Sequence, residues 1–259
     1  EGLELNGGTI RGVAAGKNLV INEGTNIVGA GEASVYNGVS NVTITMNGGT
    51  ITGNTGFYCG AGTANYIMNG GEIKTTNIGV RLQADNCHFE MNDGYIEASS
   101  HGVYRYGWNN KTTINNGHIK SFSQTGILMD RSTSNSSRWS TLIINDGLIE
   151  GAVYGVRNYA TYFTINSGEI RSNSTNRDHY ALVCDSYSPC TINELEGKPT
   201  FINAPKASGI YMNSDVKMNG GKVFGGASNA FGVYQNGSTF TLNNGKVEVP
   251  GSSALGIVH

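Results

Sequence analysis

In phase along the chain, Gly-Val or Gly-Ile words stand at Gly79, Gly102, Gly126, Gly155, Gly209, Gly232 and Gly256, with variants at Gly56 ("GFYC") and Tyr180 ("YALVC"). The residues that follow these words can do chemistry. One residue past the Val or Ile stand Tyr58, Arg81, Tyr104, Leu128, Arg157, Val183, Tyr211 and Tyr234. Two residues further on come Gln83, Tyr106, Asp130, Tyr159, Asp185, Asn213 and Asn236. In an extended strand both sets point to the same side. Flat aromatic rings stack on sugar rings, and Arg, Asn and Asp bond hydroxyls or carboxylates. Arg81, Tyr104, Tyr106, Arg157, Tyr159, Tyr211 and Tyr234 are therefore the ligand-binding candidates. A purely structural reading competes, because Tyr is favoured in strands and stacked Tyr and Arg rows can satisfy one another.

Catalysis has one candidate pair. Asp130 and Asp185 occupy equivalent positions two repeats apart, with Arg157 and Tyr159 between them. Two rungs of parallel strands span about 9.6 Å, near the upper limit for the two carboxylates of an inverting glycosidase. A flanking arginine favours ionised carboxylates, the wrong direction for a general acid. The five histidines share no spacing that would hold a metal, no cysteine lies in a CxxC pair, and the sequence implies no metal and no cofactor.

These residues need a scaffold that repeats with them. "ELNGGTI", "TMNGGTI", "IMNGGEI", "EMNDGYI", "TINNGHI", "IINDGLI", "TINSGEI", "KMNGGKV" and "TLNNGKV" recur along the chain, their Asn at 6, 47, 69, 92, 115, 145, 166, 219 and 243. Asn22 and Asn193 head two degenerate copies, and most spacings then lie between 21 and 30 residues. Asn-Gly between apolar runs ordinarily signals a hairpin, but hairpin blades of a propeller need a longer period. The residues one and three positions before the Asn are mostly apolar, such as Met46 and Ile44 or Leu242 and Phe240, and face inward, as does the nearly always apolar one four positions after it, from Ile10 to Val247. The unit predicted is a coil of three short strands that cannot bury its own face until copies stack. Five residues after the Asn, Lys74, Glu97, Lys120, Glu150 and Arg171 alternate in sign, which suits stacked neighbours. The Asn residues are expected to form an internal ladder of side-chain amides.

Composition agrees with a packed repeat. The chain has 38 glycines, 4 prolines and 14% charged residues, without the low-complexity blocks of a disordered chain. A formal net charge of −2 gives no electrostatic pull toward nucleic acid, and no apolar run approaches the roughly 20 residues of a membrane span. Cys184 and Cys190 flank "DSYSP" and could close as a disulfide in an exported protein, or stand as two small half-buried thiols. Loops on a rigid solenoid often carry recognition. The insertion at Ser132 to Ser140 offers Trp139 and Arg138 as an anchor, unless Trp139 simply packs on the next coil.

On these repeats the chain resembles the right-handed parallel β-helices of the pectin-lyase-like superfamily, in particular the Asn/Gly-rich repeat regions of bacterial secreted and cell-surface proteins. The resemblance covers essentially the whole chain and implies an all-β, single-stranded right-handed parallel β-helix of about ten coils. It implies one domain, residues 1–259, as a fragment of a longer exported protein, extracellular or on a cell surface. Fold alone does not select an activity. The leading expectation is a module that binds polysaccharide or surface glycan. A polysaccharide lyase or glycoside hydrolase is the alternative, and a purely structural stalk the third reading. Paired Asp-Asp with Gly-His-Gly, and the calcium-binding Asp clusters of pectate lyases, are missing from the sequence.

Overall fold

A computed structural model describes residues 2–29 and 31–259. The chain is an all-β parallel β-solenoid of 11 turns, close to the ten or so expected: each of the nine full copies and the degenerate ones at Asn22 and Asn193 closes a coil. The first strand of each coil, Val42–Met46 for example, ends at the Asn and pairs in parallel with its counterparts to make an 11-stranded sheet. The strand after the Asn and the Gly-Val strand form the other two faces. In two coils they run on as single strands, Thr50–Cys59 and Glu72–Leu82, which join those faces. The only helix among the described residues is the single 3-10 turn Ser136–Arg138 in the insertion, and no helix is long and apolar enough to cross a membrane.

Inward positions follow the alternation. Ile44, Met46, Phe89, Met91, Ile144 and Ile165 are buried, and so are Ile51, Ile73, Ile96, Ile119, Ile149 and Ile170 on the next face. Each such side chain contributes about 1.5–3 kcal/mol by leaving water. The expectation fails for Leu242, which is 45% exposed because no further coil covers it in this structure.

The Gly-Val word also has a packing cause. A Cβ on Gly155 would lie 2.6 Å from Ile170 Cγ2 of the next coil, and one on Gly126 2.7 Å from Ile149 Cγ2. The glycine is the hole that receives the next coil's isoleucine. At Tyr180–Cys184 Ala181 takes its place, and this entire strand is buried.

The amide ladder exists and is unbroken. Asn22 Nδ2 donates to Asn6 Oδ1 at 2.6 Å, and each later Asn donates to the one before it, through Asn47, Asn69, Asn92, Asn115, Asn145, Asn166, Asn193 and Asn219 to Asn243, at 2.7–2.9 Å. It runs along a corner at the surface, not inside: Asn47 and Asn69 are exposed and Asn145 is half-buried. The second residue after the Asn makes the bend, as in Gly147 at φ +102°, where a Cβ would also stand 2.6 Å from Gly117 O. Only glycine meets both demands without strain.

The alternating charges are in register, Lys74 beside Glu97, Glu97 beside Lys120, Lys120 beside Glu150 and Glu150 beside Arg171. Their partners are mixed. Arg171 reaches Glu150 at 3.3 Å, whereas Lys74 turns to Glu72 on its own strand at 2.6 Å. Cys184 and Cys190 are free buried thiols, and the disulfide joins Cys59 to Cys87, 28 residues apart with Cα atoms at 6.5 Å. Both of its cysteines sit where a Gly-Val strand turns into the next coil, a proximity invisible until the corner is built.

Removing one rung severs two neutral hydrogen bonds, worth about 0.5–1.5 kcal/mol each. Asn145→Ala should destabilise the protein by about 1–3 kcal/mol in urea unfolding, and Gly147→Ala by at least as much. A loss below about 0.5 kcal/mol for Asn145→Ala would mean that the ladder adds no net stability.

Candidate functional site

The outward columns of the Gly-Val face stand as alternation predicts. Tyr36, Tyr58, Arg81, Tyr104, Leu128, Arg157, Val183, Tyr211 and Tyr234 pair rung by rung. Tyr36 extends the first column one coil further than the Gly-Val words indicated. Val183 departs from the expectation of a solvent-facing row, since it is buried.

The candidate residues divide into small groups. Arg157 Nη2 donates to the Tyr159 hydroxyl and lies 3.4 Å from Asp185 Oδ2, while its guanidinium sits over the rings of Tyr154 and Tyr159 at 5.3 and 5.1 Å. Two coils above Arg157, Tyr211 stacks on Tyr234 with centroids 5.8 Å apart and planes 11° from parallel. Tyr154, Arg157, Asp178, Tyr180, Val183, Asp185 and Tyr211 line one shallow pocket of 210 Å³. Asp130 belongs to a different group, accepting from the Tyr104 hydroxyl at 3.0 Å. Arg81 is taken up by Glu32 at 2.8 Å, by Gln83, and by the Tyr58 ring at 4.8 Å. Tyr106 lies under the Arg131 guanidinium, 4.9 Å away, at the corner beyond the sheet.

Asp130 and Asp185 thus share a column with Tyr159 between them, but each carboxylate is engaged by its own neighbours. Burial, then the hydrogen bond to Asp185, pushes the Tyr159 phenol up to about 12. Burial and the charge of Asp130 push Tyr104 to about 12 as well. Both phenols are therefore proton donors at physiological pH. No three or more His, Cys, Asp or Glu side chains gather as a metal-ligating group among the described residues.

Tyr154 and Tyr180 escaped the sequence reading, although the signal was present. They precede Gly155 and Ala181 and belong to a further column with His101 and Thr125. Asp178 sits in a loop with no repeat to locate it. The other omission is Arg105, which alternation places inside between Tyr104 and Tyr106 and which is fully buried. It spans two coils, donating to Arg131 O at 3.3 Å, Tyr159 O at 2.5 Å and Thr161 Oγ1 at 2.9 Å. Burial lowers its guanidinium to about 10. It ties together the coil ends that carry Asp130 and Tyr159.

No protein family, characterised protein or solved structure compared with this chain matches it. Functional inference therefore rests on the side chains themselves.

The Asp185 carboxylate beside Tyr159 has a spectroscopic consequence. Asp185→Asn removes the negative charge that disfavours the phenolate, so Tyr159 should ionise at lower pH. Ultraviolet titration at the phenolate band should show one tyrosine moving down from about 12. An unchanged high-pH limb would contradict the contact.

Proposed function

We propose that this chain is an exported β-solenoid of the pectin-lyase-like kind whose Gly-Val face binds an extended glycan bearing carboxylates. The observation that carries this reading is the pocket of Tyr154, Arg157, Asp185 and Tyr211, set in an outward column that is aromatic or polar at most rungs and apolar at Leu128 and the buried Val183. Tyr211 and Tyr234 offer rings side by side, and Arg157 commits Nη2 to its protein neighbours while Nη1 lies outside those contacts. Asp178 and Asp185 line the same pocket, so a sugar carboxylate would be held through the outward Nη1 of Arg157. Export is supported by the Cys59–Cys87 bridge, since disulfides persist in oxidising compartments.

Enzyme chemistry is the second reading, favoured only by the shared column of Asp130 and Asp185. Polysaccharide affinity gels separate the two. Retention on acidic polymers should weaken by about tenfold or more in Arg157→Ala and in Tyr211→Ala, a loss of roughly 1.4 kcal/mol. Unchanged retention in both variants contradicts the binding surface. Release of reducing ends or of an unsaturated product, abolished by Asp130→Asn or Asp185→Asn, would replace it with catalysis.

A further inference from the structure

A second recessed surface lies past the C-terminal end of the Gly-Val strands, at the corner where each coil passes into the next. It is a cleft of 580 Å³ walled by Trp139 and Tyr187 and floored by Ser186, Asn213, Asp215 and Ser238. This falls within the volume range of small-molecule sites, roughly 300–1,000 Å³.

The wall is constructed with unusual backbone. Tyr187 holds φ +61°, at a corner position filled in earlier coils by Asn41, Asn86 and Asn109, with φ +62°, +58° and +54°. Asn tolerates that region, whereas a bulky aromatic there is a strained exception of about 1–3 kcal/mol. This corner lies at the surface, as at Asn41, Asn86 and Asn109, and leaves Tyr187 44% exposed. Trp139 occupies the same corner position two coils below, and Ala160 stands between them. Because Ala160 is small, the two rings lean together over it, with centroids 6.2 Å apart. Trp139 is held in place by its Nε1, which donates to Thr133 O at 2.9 Å, and by the Tyr162 ring at 4.9 Å. Trp139 thus packs on Tyr162 of the next coil and also lines the cleft.

The floor complements the wall. Asp215 Oδ1 accepts from Thr239 N at 2.9 Å, and Asn213 Nδ2 reaches Ser186 Oγ at 3.4 Å. Asp215 Oδ2 and Asn213 Oδ1 remain as acceptors for ligand hydroxyls. No lysine or arginine lines the cleft, so an anionic ligand would meet the Asp215 carboxylate without compensation. We infer that this corner is a binding site for a neutral sugar, its ring stacked on the Trp139–Tyr187 platform and its hydroxyls donating to Asp215 and Asn213. It shares no lining residue with the acidic-glycan pocket and disfavours the carboxylates that pocket takes.

Tryptophan fluorescence tests this, because the chain has only two tryptophans and Trp108 is 8% exposed beneath Arg131. In Trp108→Phe protein the emission reports Trp139 alone. Titration with neutral pentasaccharides of glucose, mannose, galactose, xylose and N-acetylglucosamine should give a saturable change with at least one. Tyr187→Asn keeps a residue suited to that backbone while removing the ring, and should weaken this binding about tenfold or more; Arg157→Ala should leave it unchanged. Circular dichroism confirms that each variant is folded, and Asp215→Ala serves where Tyr187→Asn is not. The site is overturned if no pentasaccharide perturbs Trp139 up to roughly 10 mM, where a millimolar site would be mostly filled. It is equally overturned if an oligogalacturonate binds there more tightly than every neutral sugar. Neither result depends on whether Arg157→Ala releases acidic polymers.

Discussion

Every coil must turn at the same place as the coil beneath it, and the Asn-x-Gly corner enforces this. Its asparagine has one donor and one acceptor pointing along the stack, so a coil displaced by one residue would break two bonds at once. Its glycine supplies a left-handed bend that also leaves room for the carbonyl of the neighbouring coil. Side-chain period in a strand is two, so a slip of one residue would turn every inward isoleucine to solvent. Corner and core thus select the same register, and that agreement lets eleven imperfect copies stack as one solenoid.

Strict register has a functional corollary. Once the coils are aligned, residues about 24 positions apart in sequence become neighbours on one face, and a surface is written one residue per coil. Arg157, Asp185 and Tyr211 come from three successive coils, yet line one pocket. Arg105 adds an internal brace. A buried guanidinium with no carboxylate in its hydrogen bonds is costly, and here it holds the chain ends behind Asp130 and Tyr159. The interior is therefore apolar where strands face each other and polar beneath the corner that shapes the candidate sites.

Much of this is legible in the sequence. The period, the inward isoleucines and the column order of Tyr104, Arg157 and Tyr211 follow from alternation and repeat spacing alone. Partner choice is not. That Arg81 is taken up by Glu32, or that Asp130 belongs to Tyr104 and not to Asp185, depends on rotamers and loop lengths that repeat arithmetic does not contain. The corners hide more than the strands. Cys59 meeting Cys87, and Trp139 meeting Tyr187 over Ala160, both arise where coil length varies and backbone leaves the extended region. The expectation of an internal amide ladder placed the right residues in the right order on the wrong side of the wall.

A glycan lying along a column must gain contacts as it lengthens, whereas one held by a single pocket gains none after its first residues. Calorimetric titration with oligogalacturonates of increasing length measures this directly. Affinity should rise by about tenfold or more from dimer to hexamer and then level off as the outward rungs are filled. A dimer that binds as tightly as the hexamer, or no binding at any length, would contradict an extended glycan surface on the Gly-Val face.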